Sequence, residues 1–276
     1  MTTDRIRKGE DAGVASQDEV NRRVYMAKGV DRSYRFWALG RAEALVLLKY
    51  QPAFSGHDVL DVGVGAGRTT IYLAPLARRY EAIDYSPVMV ESARSRLPGI
   101  SFRVADMRDL SAFADATFDF LLASNNVLDA VSHEDRLRAL AEFRRVLRDG
   151  GTLVFSSHNR QYRDAGHGPR VEFSRNPVTL ALNMLKWVRQ HLNHARIRGL
   201  RRLEPDYSLL DDMGMDFGCL HYYVDHETQR RQLAGLGLRL VDVLDHEGQS
   251  LVASDPGRES PWLMYVAKRE PTVKSV

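Results

Sequence analysis

Short aliphatic segments alternate with amphipathic ones through most of the chain, and this alternation limits the fold more than any other feature. The expected strands cover residues 58–64, 80–85, 100–106, 118–124, 152–156, 238–245 and 262–268. The expected helices after residue 52 cover 66–78, 86–97, 134–147, 177–191 and 225–236. Strands that alternate with helices at this spacing form a largely parallel sheet with helices on both faces. We therefore predict an α/β fold.

The pattern also divides the chain into regions. Residues 1–18 have no periodicity, and we expect them to form a disordered tail. The rest, 19–276, is predicted to be a single domain that begins with a helical region over 19–52. The strand and helix alternation is interrupted over 160–216, which predicts a cap inserted into the domain.

Composition excludes several classes of protein. Of 276 residues, 44% are hydrophobic and 27% are charged, which is not the composition of a disordered chain. The single Cys219 excludes a disulfide scaffold. We expect a cytoplasmic protein, because the first residues are polar and no segment reaches the roughly 20 apolar residues that span a bilayer.

A glycine-rich loop, Gly63-Val64-Gly65-Ala66-Gly67, ends the first expected strand and opens the first expected helix. Glycines there allow a tight turn and the close approach of a ligand. Ligands of parallel sheets bind at this edge, beyond the carboxyl ends of the strands. A dinucleotide fingerprint would place its third glycine at position 68, where this chain has Arg68.

The loop, preceded by Asp61, resembles the first motif of the class I S-adenosylmethionine-dependent methyltransferases. Asp84 ends the second strand, where the resemblance implies that it binds the ribose hydroxyls. Asp106 ends the third strand, where it would accept from the adenine amine while Met107 packs on the ring. Each also has a plainer interpretation, since Asp84 could cap the helix that follows Ser86 and Asp106 could be a turn residue.

The resemblance covers roughly residues 58–158 and resumes over 221–269. It implies a Rossmann-like, seven-stranded mixed sheet of order 3-2-1-4-5-7-6 whose last strand is antiparallel, and a fourth strand whose end faces the methionine part of the cofactor. The cofactor S-adenosyl-L-methionine would then contact Asp61, Gly63, Gly65, Gly67, Asp84, Tyr85, Asp106, Met107, Ser124 and Asn125.

The resemblance also implies what the protein must do chemically. The sulfonium of the methyl donor carries its own leaving group, so the main task is to hold the acceptor in line. An oxygen acceptor must also lose a proton, for which histidine is suited near pH 7. The catalytic candidates are His158, at the end of the fifth strand, and His221 with Tyr222, before the last helix. Asp129 and His133 follow the fourth strand, although His133 is more typical of a helix start; a structural, hydrogen-bonded role is open for each histidine.

Two further patterns narrow the reaction. The fourth strand is followed by Asn125-Asn126-Val127-Leu128 rather than by Asn-Pro-Pro-Tyr, which in the family argues against methylation of DNA bases or glutamine side chains. One cysteine and scattered histidines lack the spacing of metal ligands, so no metal is expected.

The basic character of the chain is local. Between Arg160 and Pro205 there are ten Lys or Arg and three Asp or Glu, a net charge of +7. The apolar face of helix 177–191 could cover the core, with the arginines solvated. The arginines could instead hold a phosphate or carboxylate of the substrate, or this helix, with Trp187, could lie on an anionic membrane. Binding to nucleic acid has weaker support, because no stacking motif accompanies the charge.

Together these features predict S-adenosylmethionine-dependent methylation of a small-molecule or saccharide acceptor, with oxygen favoured over nitrogen. Two alternatives stay open from the sequence. One is an RNA or protein methyltransferase that docks its substrate through the basic insertion, and the other is a catalytically silent partner subunit that binds the cofactor.

Overall fold

The computed structural model describes residues 16–27, 29–30, 38–252 and 254–271. The helices are α1 Gln17–Tyr25, α2 Arg41–Lys49, α3 Thr70–Leu73, α4 Pro87–Arg96, α5 His133–Val146, α6 Pro177–Ile197 and α7 His226–Gly235. The strands are β1 Asp58–Val62, β2 Arg79–Asp84, β3 Phe102–Val104, β4 Phe118–Ala123, β5 Leu147–Asn159, β6 Arg202–Leu203, β7 Ser208–Leu210, β8 His221–Val224, β9 Leu238–Leu244 and β10 Trp262–Arg269.

The strands form one mixed sheet whose main part runs β3-β2-β1-β4-β5-β10-β9. Neighbours from β3 to β5 are parallel, and β10 is antiparallel to both β5 and β9. The predicted α/β fold and the order 3-2-1-4-5-7-6 are therefore confirmed.

Three strands were not expected. At His158 and Asn159, β5 extends beyond the end of β4 and pairs in parallel with β8, and β7 and β6 continue from β8 with antiparallel pairs. Within the described ranges the sheet thus has ten strands rather than seven. Because β5 is longer than β4, the backbone N–H and C=O groups at its end have no partner on β4. Strand β8, which follows the cap, pairs with them.

Successive residues of the central strands point to opposite faces, and each face is covered by its own helices. Leu60 and Leu121 pack in one core with Phe143 of α5. Val59 and Phe120 pack in the other core with helices α2 and α3. Both faces of the central strands are therefore covered by apolar side chains. Polar side chains are left to the carboxyl ends of the strands.

Within the described residues of the expected helical region, the structure shows helix α1 and helix α2. Helix α1 begins at Gln17, and the Ser16 side chain caps it by accepting from the backbone N–H of Glu19 at 3.2 Å. Helix α1 thus includes the last two residues of the expected tail, whereas residues 1–15 lie outside the described residues.

Two predicted helices have different lengths in the structure. The helix expected over 66–78 is reduced to α3, since Gly67 has a φ of +84° and keeps the preceding segment in a turn. Helix α6 continues past residue 191 to Ile197, which is buried. In the part of the chain that the structure describes, neither α6 nor any other helix combines the length and apolar character needed to cross a bilayer.

Candidate active site

Two clefts flank Asp84 at the carboxyl ends of the parallel strands. The first, of about 770 Å³, is bordered by the glycine loop and by the segment that follows β4. The second, of about 490 Å³, is bordered by the ends of β2 and β3 and by α1. Because Gly63, Asp84 and Tyr85 line both clefts, a single elongated ligand could occupy the two spaces around this carboxylate.

Both oxygens of Asp84 are held by backbone groups. Oδ2 accepts from the N–H of Gly65 and Oδ1 accepts from the N–H of Ser86, each at 2.8 Å. Burial raises the pKa of Asp84 to about 6, against the opposing effect of these two donors. The carboxylate therefore holds the start of α4 and also borders both clefts. A helix-capping role and a ligand-binding role for Asp84 are thus compatible. Each oxygen keeps a further lone pair for a ligand hydroxyl.

The three glycines of the loop have positive φ values but different surroundings. A Cβ on Gly65 would meet no atom within 4 Å, so it would enter open space beside the first cleft. A Cβ on Gly63 would lie 2.9 Å from Cβ of Val127, and one on Gly67 would lie 2.9 Å from Cδ1 of Leu97 in the segment after α4. Gly67 therefore allows close packing inside the protein and lines neither cleft.

The Asp61 carboxylate forms hydrogen bonds that hold the segment after the glycine loop against β2. Its Oδ2 accepts from the hydroxyl groups of Thr69 and Tyr80, and burial raises its pKa to about 6. Arg68, at the position where a dinucleotide fingerprint requires glycine, forms a two-pronged ion pair with Glu43 of α2. Ser124, which borders the first cleft together with Asn125, donates to the same Glu43 carboxylate.

The second cleft has apolar walls and a polar rim. Ile83, Met107 and Val131 contribute apolar surface to it. Asp106 lies at its rim, but both of its carboxylate oxygens already accept from Arg108, with Nε–Oδ1 at 2.9 Å and Nη2–Oδ2 at 2.6 Å. Although burial opposes it, this pairing lowers the pKa of Asp106.

Helix α1 closes one side of the second cleft, which the sequence did not reveal. Asn21 and Arg22 border the cleft. Asn21 also fixes the helix, because its side chain donates to the carbonyls of Ala130 and Leu220, both at 2.7 Å, and accepts from the N–H of Leu220. The sequence offered one signal for this role of α1, namely the two polar residues Gln17 and Asn21 one turn apart. The structure buries both side chains.

His158 is held by a buried carboxylate. Asp129 Oδ2 lies 2.7 Å from Nδ1 of the imidazole and 2.7 Å from the backbone N of the same residue. Because a carboxylate only accepts, Nδ1 carries the proton of the neutral ring and Nε2 is left as the basic nitrogen. Nε2 lies 3.3 Å from Nδ2 of Asn126, a residue of the first cleft. His158 also lines a third cavity of about 1070 Å³, hereafter the cap cavity, which is lined mostly by residues of 160–216.

His221 lies beside His158, with ring centroids 4.9 Å apart. Its Nδ1 is 2.9 Å from Oδ2 of Asp212, and its Nε2 is 3.2 Å from the hydroxyl of Tyr25. Burial lowers the pKa of His221, but the Asp212 carboxylate outweighs burial and holds that pKa above its ordinary value. Tyr223 donates to the same carboxylate at 2.7 Å. Sequence reasoning missed Asp212, which belongs to the cap and has no motif around it.

His158, Asp212 and His221 offer three potential ligand atoms within 4.8 Å of one another, so within the described ranges they form a group with the spacing of a metal site. The sequence predicted no metal because these residues are far apart along the chain. The short Nδ1–Oδ2 distance between His221 and Asp212 is equally that of a direct hydrogen bond.

Tyr222 is a correction to the predicted catalytic set. Neighbouring side chains of a strand point to opposite faces, so Tyr222 points away from His221 and Tyr223. Its hydroxyl lies 2.8 Å from Nδ1 of His133 and accepts from Gln232, and the Arg136 guanidinium lies 4.6 Å from the ring centroid. Tyr222 and His133 therefore pack together behind the site, and neither lines one of the three spaces described above.

The basic insertion also differs from one of its predicted roles. If the apolar face of this helix covered the core, Val178, Leu182 and Leu185 would be buried, yet all three are exposed. Among the arginines of the insertion, Arg170 lines the cap cavity, together with His167.

Comparison with known proteins agrees with this geometry. Residues 59–151 match a family model described as a methyltransferase domain. A probable S-adenosylmethionine-dependent methyltransferase of Mycobacterium tuberculosis is 31% identical over 121 residues, 44% of this chain and 42% of that protein. Malonyl-(acyl-carrier protein) O-methyltransferase of Pectobacterium atrosepticum is 35% identical over 124 residues, 45% and 47% of the two chains. The chain thus matches less than half the length of these relatives.

Two solved structures share the fold over nearly the whole chain. The 1,6-didemethyltoxoflavin-N1-methyltransferase of Burkholderia thailandensis, solved with S-adenosylhomocysteine, has a TM-score of 0.59 at 17% identity and covers 95% of this chain and 93% of its own. The CcbJ methyltransferase of Streptomyces caelestis has a TM-score of 0.61 at 15% identity and covers 90% and 98%. Residues 59–151 therefore match a methyltransferase domain, and these two structures show that the chain as a whole has the class I methyltransferase fold.

Proposed function

We propose that this protein transfers the methyl group of S-adenosyl-L-methionine to an oxygen atom of a small-molecule acceptor. The observation that carries the proposal is the position of His158. His158 lines the cap cavity, and its Nε2 lies 3.3 Å from Nδ2 of Asn126, which borders the first cleft. A base held between a cofactor site and an acceptor site is what methylation of a hydroxyl group requires.

The cofactor would supply a methyl group on a sulfonium that leaves as a neutral thioether. The residues of the two clefts fit it. Asp84 has free lone pairs for two ribose hydroxyls, and the apolar walls of the second cleft suit an adenine ring, with Asp106 at the rim for the exocyclic amine. Gly65 leaves open space in the first cleft, where Ser124 and Asn125 would face the methionine part.

The acceptor would enter the cap cavity, with residues 160–216 acting as its cover. His158 Nε2 would take the proton of the acceptor hydroxyl, and the Asp129 carboxylate would stabilise the imidazolium that forms. Proton removal by a positioned base contributes about 10²- to 10⁴-fold in rate. His221 would support the site rather than act as the base, because its two ring nitrogens already contact Asp212 and Tyr25.

The proposed acceptor is an anionic small molecule or saccharide. Arg170 and His167 line the cap cavity beside Asp164, which pairs with both of them. A carboxylate or phosphate of the acceptor would compete with Asp164 for their donors. Oxygen as the acceptor atom is supported by the O-methyltransferases among the relatives, although the toxoflavin enzyme methylates nitrogen.

Two linked measurements test the proposal. Calorimetric titration with S-adenosylmethionine is expected to show binding, and incubation with the methyl-labelled cofactor is expected to label phenols, hydroxy acids or sugars. Transfer of the label to RNA or protein instead would show that the acceptor is a macromolecule and not a small molecule. Binding without transfer to any acceptor class would favour the silent partner subunit, and absence of binding by the folded protein would refute the proposal.

A further inference from the structure

Helix α6 exposes most of its large apolar side chains. Its buried and half-buried positions hold both polar and apolar residues, namely Leu180, Asn183, Trp187, Gln190, Asn193, His194 and Ile197. Leu182 and Leu185 are 60% and 69% exposed. The outward apolar set, which we call the α6 face, consists of Val178, Leu182, Met184, Leu185, Val188 and Leu192.

Polar contacts on the inner side hold the helix in this rotation. Gln190 Nε2 donates to Oδ1 of Asp216 at 3.1 Å, and Asn193 Nδ2 donates to the carbonyl of the same residue at 3.0 Å. One turn after Gln190, Nδ1 of His194 lies 2.6 Å from Oδ2 of the buried Asp211. Turning the apolar side chains inward would break all three contacts, so their exposure follows from how the helix is anchored.

The charges on helix α6 itself are all positive, and two of its three cations pair with carboxylates of neighbouring segments. The helix contains Lys186, Arg189 and Arg196 and no acidic residue over its 21 positions. Lys186 is 4.0 Å from the exposed Glu172, and Arg189 pairs with Asp216. Across the described ranges, no carboxylate lies within ion-pair distance of Arg196.

We propose that the α6 face docks on an anionic lipid surface. A helix with an apolar outer stripe and basic side chains at its flanks lies in the plane of a membrane interface, with its apolar groups among the acyl chains and its cations at the headgroups. At about 1.5 Å per residue the helix is about 31 Å long, and an extended stripe of this kind suits a flat surface.

The charges disfavour a second copy of this chain as the occupant. Paired helices place opposite charges beside the apolar seam. Two α6 helices would bring Lys186 and Arg196 of each copy together, and neither helix has a carboxylate to match them. The acidic surface of a partner protein would satisfy the charges, and the experiment distinguishes that occupant from lipid.

Co-sedimentation of the full chain with vesicles tests the proposal. The probes are vesicles of phosphatidylcholine alone and of phosphatidylcholine mixed with phosphatidylglycerol. The test variant is Leu182→Gln with Leu185→Gln, and the matched control is Leu48→Gln with Leu203→Gln, two leucines that are equally exposed elsewhere. Thermal melting and S-adenosylmethionine binding, measured for each variant, show whether the fold is intact.

We expect the unmodified protein and the control variant to bind anionic vesicles at least about tenfold better than neutral ones, with binding that weakens as salt is added. The test variant should lose about tenfold or more of this binding while it keeps its fold. Equal binding by test and control variants, or no binding by the unmodified protein, would overturn the proposal. So would a dimer in sedimentation velocity that the test variant abolishes.

Discussion

The Asp129 carboxylate holds His158 by two contacts, one to the imidazole Nδ1 and one to the backbone N, each at 2.7 Å. Asp129 follows β4, and His158 lies in the last part of β5, the neighbouring parallel strand, so the two residues meet at one edge of the sheet. Asp129 is itself fully buried and accepts from Arg136 and Ser157. The orientation of the His158 imidazole is thus set by a buried network.

Replacing His158 with glutamine should lower kcat by about 100-fold or more, because the proton acceptor is removed while a polar side chain remains. S-adenosylmethionine affinity should be unchanged, since His158 lines neither cofactor cleft. Steady-state kinetics and calorimetry measure the two effects. Tyr222→Phe, on the opposite face of β8, is the control and should keep kcat; an unaltered kcat in His158→Gln would exclude this base.

Arg136 should be among the most important residues for stability. Its guanidinium is fully buried and pairs with Asp129, so Arg136→Met would leave a buried carboxylate without its cation. We expect the free energy of unfolding to fall by about 3–5 kcal/mol. Urea denaturation measures this loss, with Arg138→Met as the control: Arg138 is exposed on the same helix and should change stability by less than about 0.5 kcal/mol. Similar losses in both variants would contradict the prediction.

Two glycines of the loop should respond differently to alanine. Gly65→Ala places a methyl group in open space beside the first cleft, so it should reduce cofactor affinity at least about tenfold and cost only about 1 kcal/mol of stability for the positive φ. Gly67→Ala adds a clash with Leu97 and should mainly reduce stability. Thermal melting and calorimetry of both variants are the measurements; a reversed pattern would show that the cofactor does not contact Gly65.

Cofactor affinity should fall in mild acid. With a pKa near 6, Asp84 is ionised at pH 7 and becomes protonated as the pH falls toward 5, where it accepts less well from ribose hydroxyls. Asp61 titrates near the same pH, but Thr69 and Tyr80 occupy it. Titration calorimetry from pH 8 to about 5 should show weakening below about pH 6. Asp84→Asn should bind more weakly and lose this dependence; if it kept the dependence, another group would be responsible.

The same pKa predicts an opposite effect on the unbound protein. Because burial raises the pKa of Asp84 in the folded state, the fold takes up a proton more readily than the unfolded chain between about pH 6 and 4. The contribution of Asp84 to stability therefore rises as the pH falls through this window. Urea denaturation at several pH values gives the free energy of unfolding as a function of pH. Its slope over that range should differ between the unmodified protein and Asp84→Asn, and equal slopes would contradict this prediction.

Removal of metal ions should leave the reaction unchanged. We expect Nδ1 of His221 and Oδ2 of Asp212 to act as hydrogen-bond partners, as their 2.9 Å separation indicates. Activity after exhaustive chelation should therefore equal that of the untreated enzyme, while added Zn²⁺ should inhibit by binding His158 and His221. Loss of activity on chelation, restored by one metal, would instead assign a catalytic ion to this group.

Much of the fold could be predicted because it depends on local patterns. The hydrophobic alternation predicted the parallel strands, and the family resemblance supplied their order. Asp84 and Met107 could be placed near one another because consecutive strands of a parallel sheet end at the same edge. Asp106 lies at that edge too, yet its pairing with Arg108 depends on side-chain rotamers that no sequence spacing specifies.

The sequence by itself determined the glycine loop, the strand ends and the α/β class, since each depends on residues that are close along the chain or on a repeated period. Only the tertiary structure brought Asp212 of the cap against His221, placed Tyr222 behind the sheet, and turned the apolar face of α6 outward. The physical reason is that these outcomes depend on how distant segments pack and satisfy their buried polar groups. His194 and Asp211, for example, fix the rotation of α6 through a contact that its own periodicity does not contain.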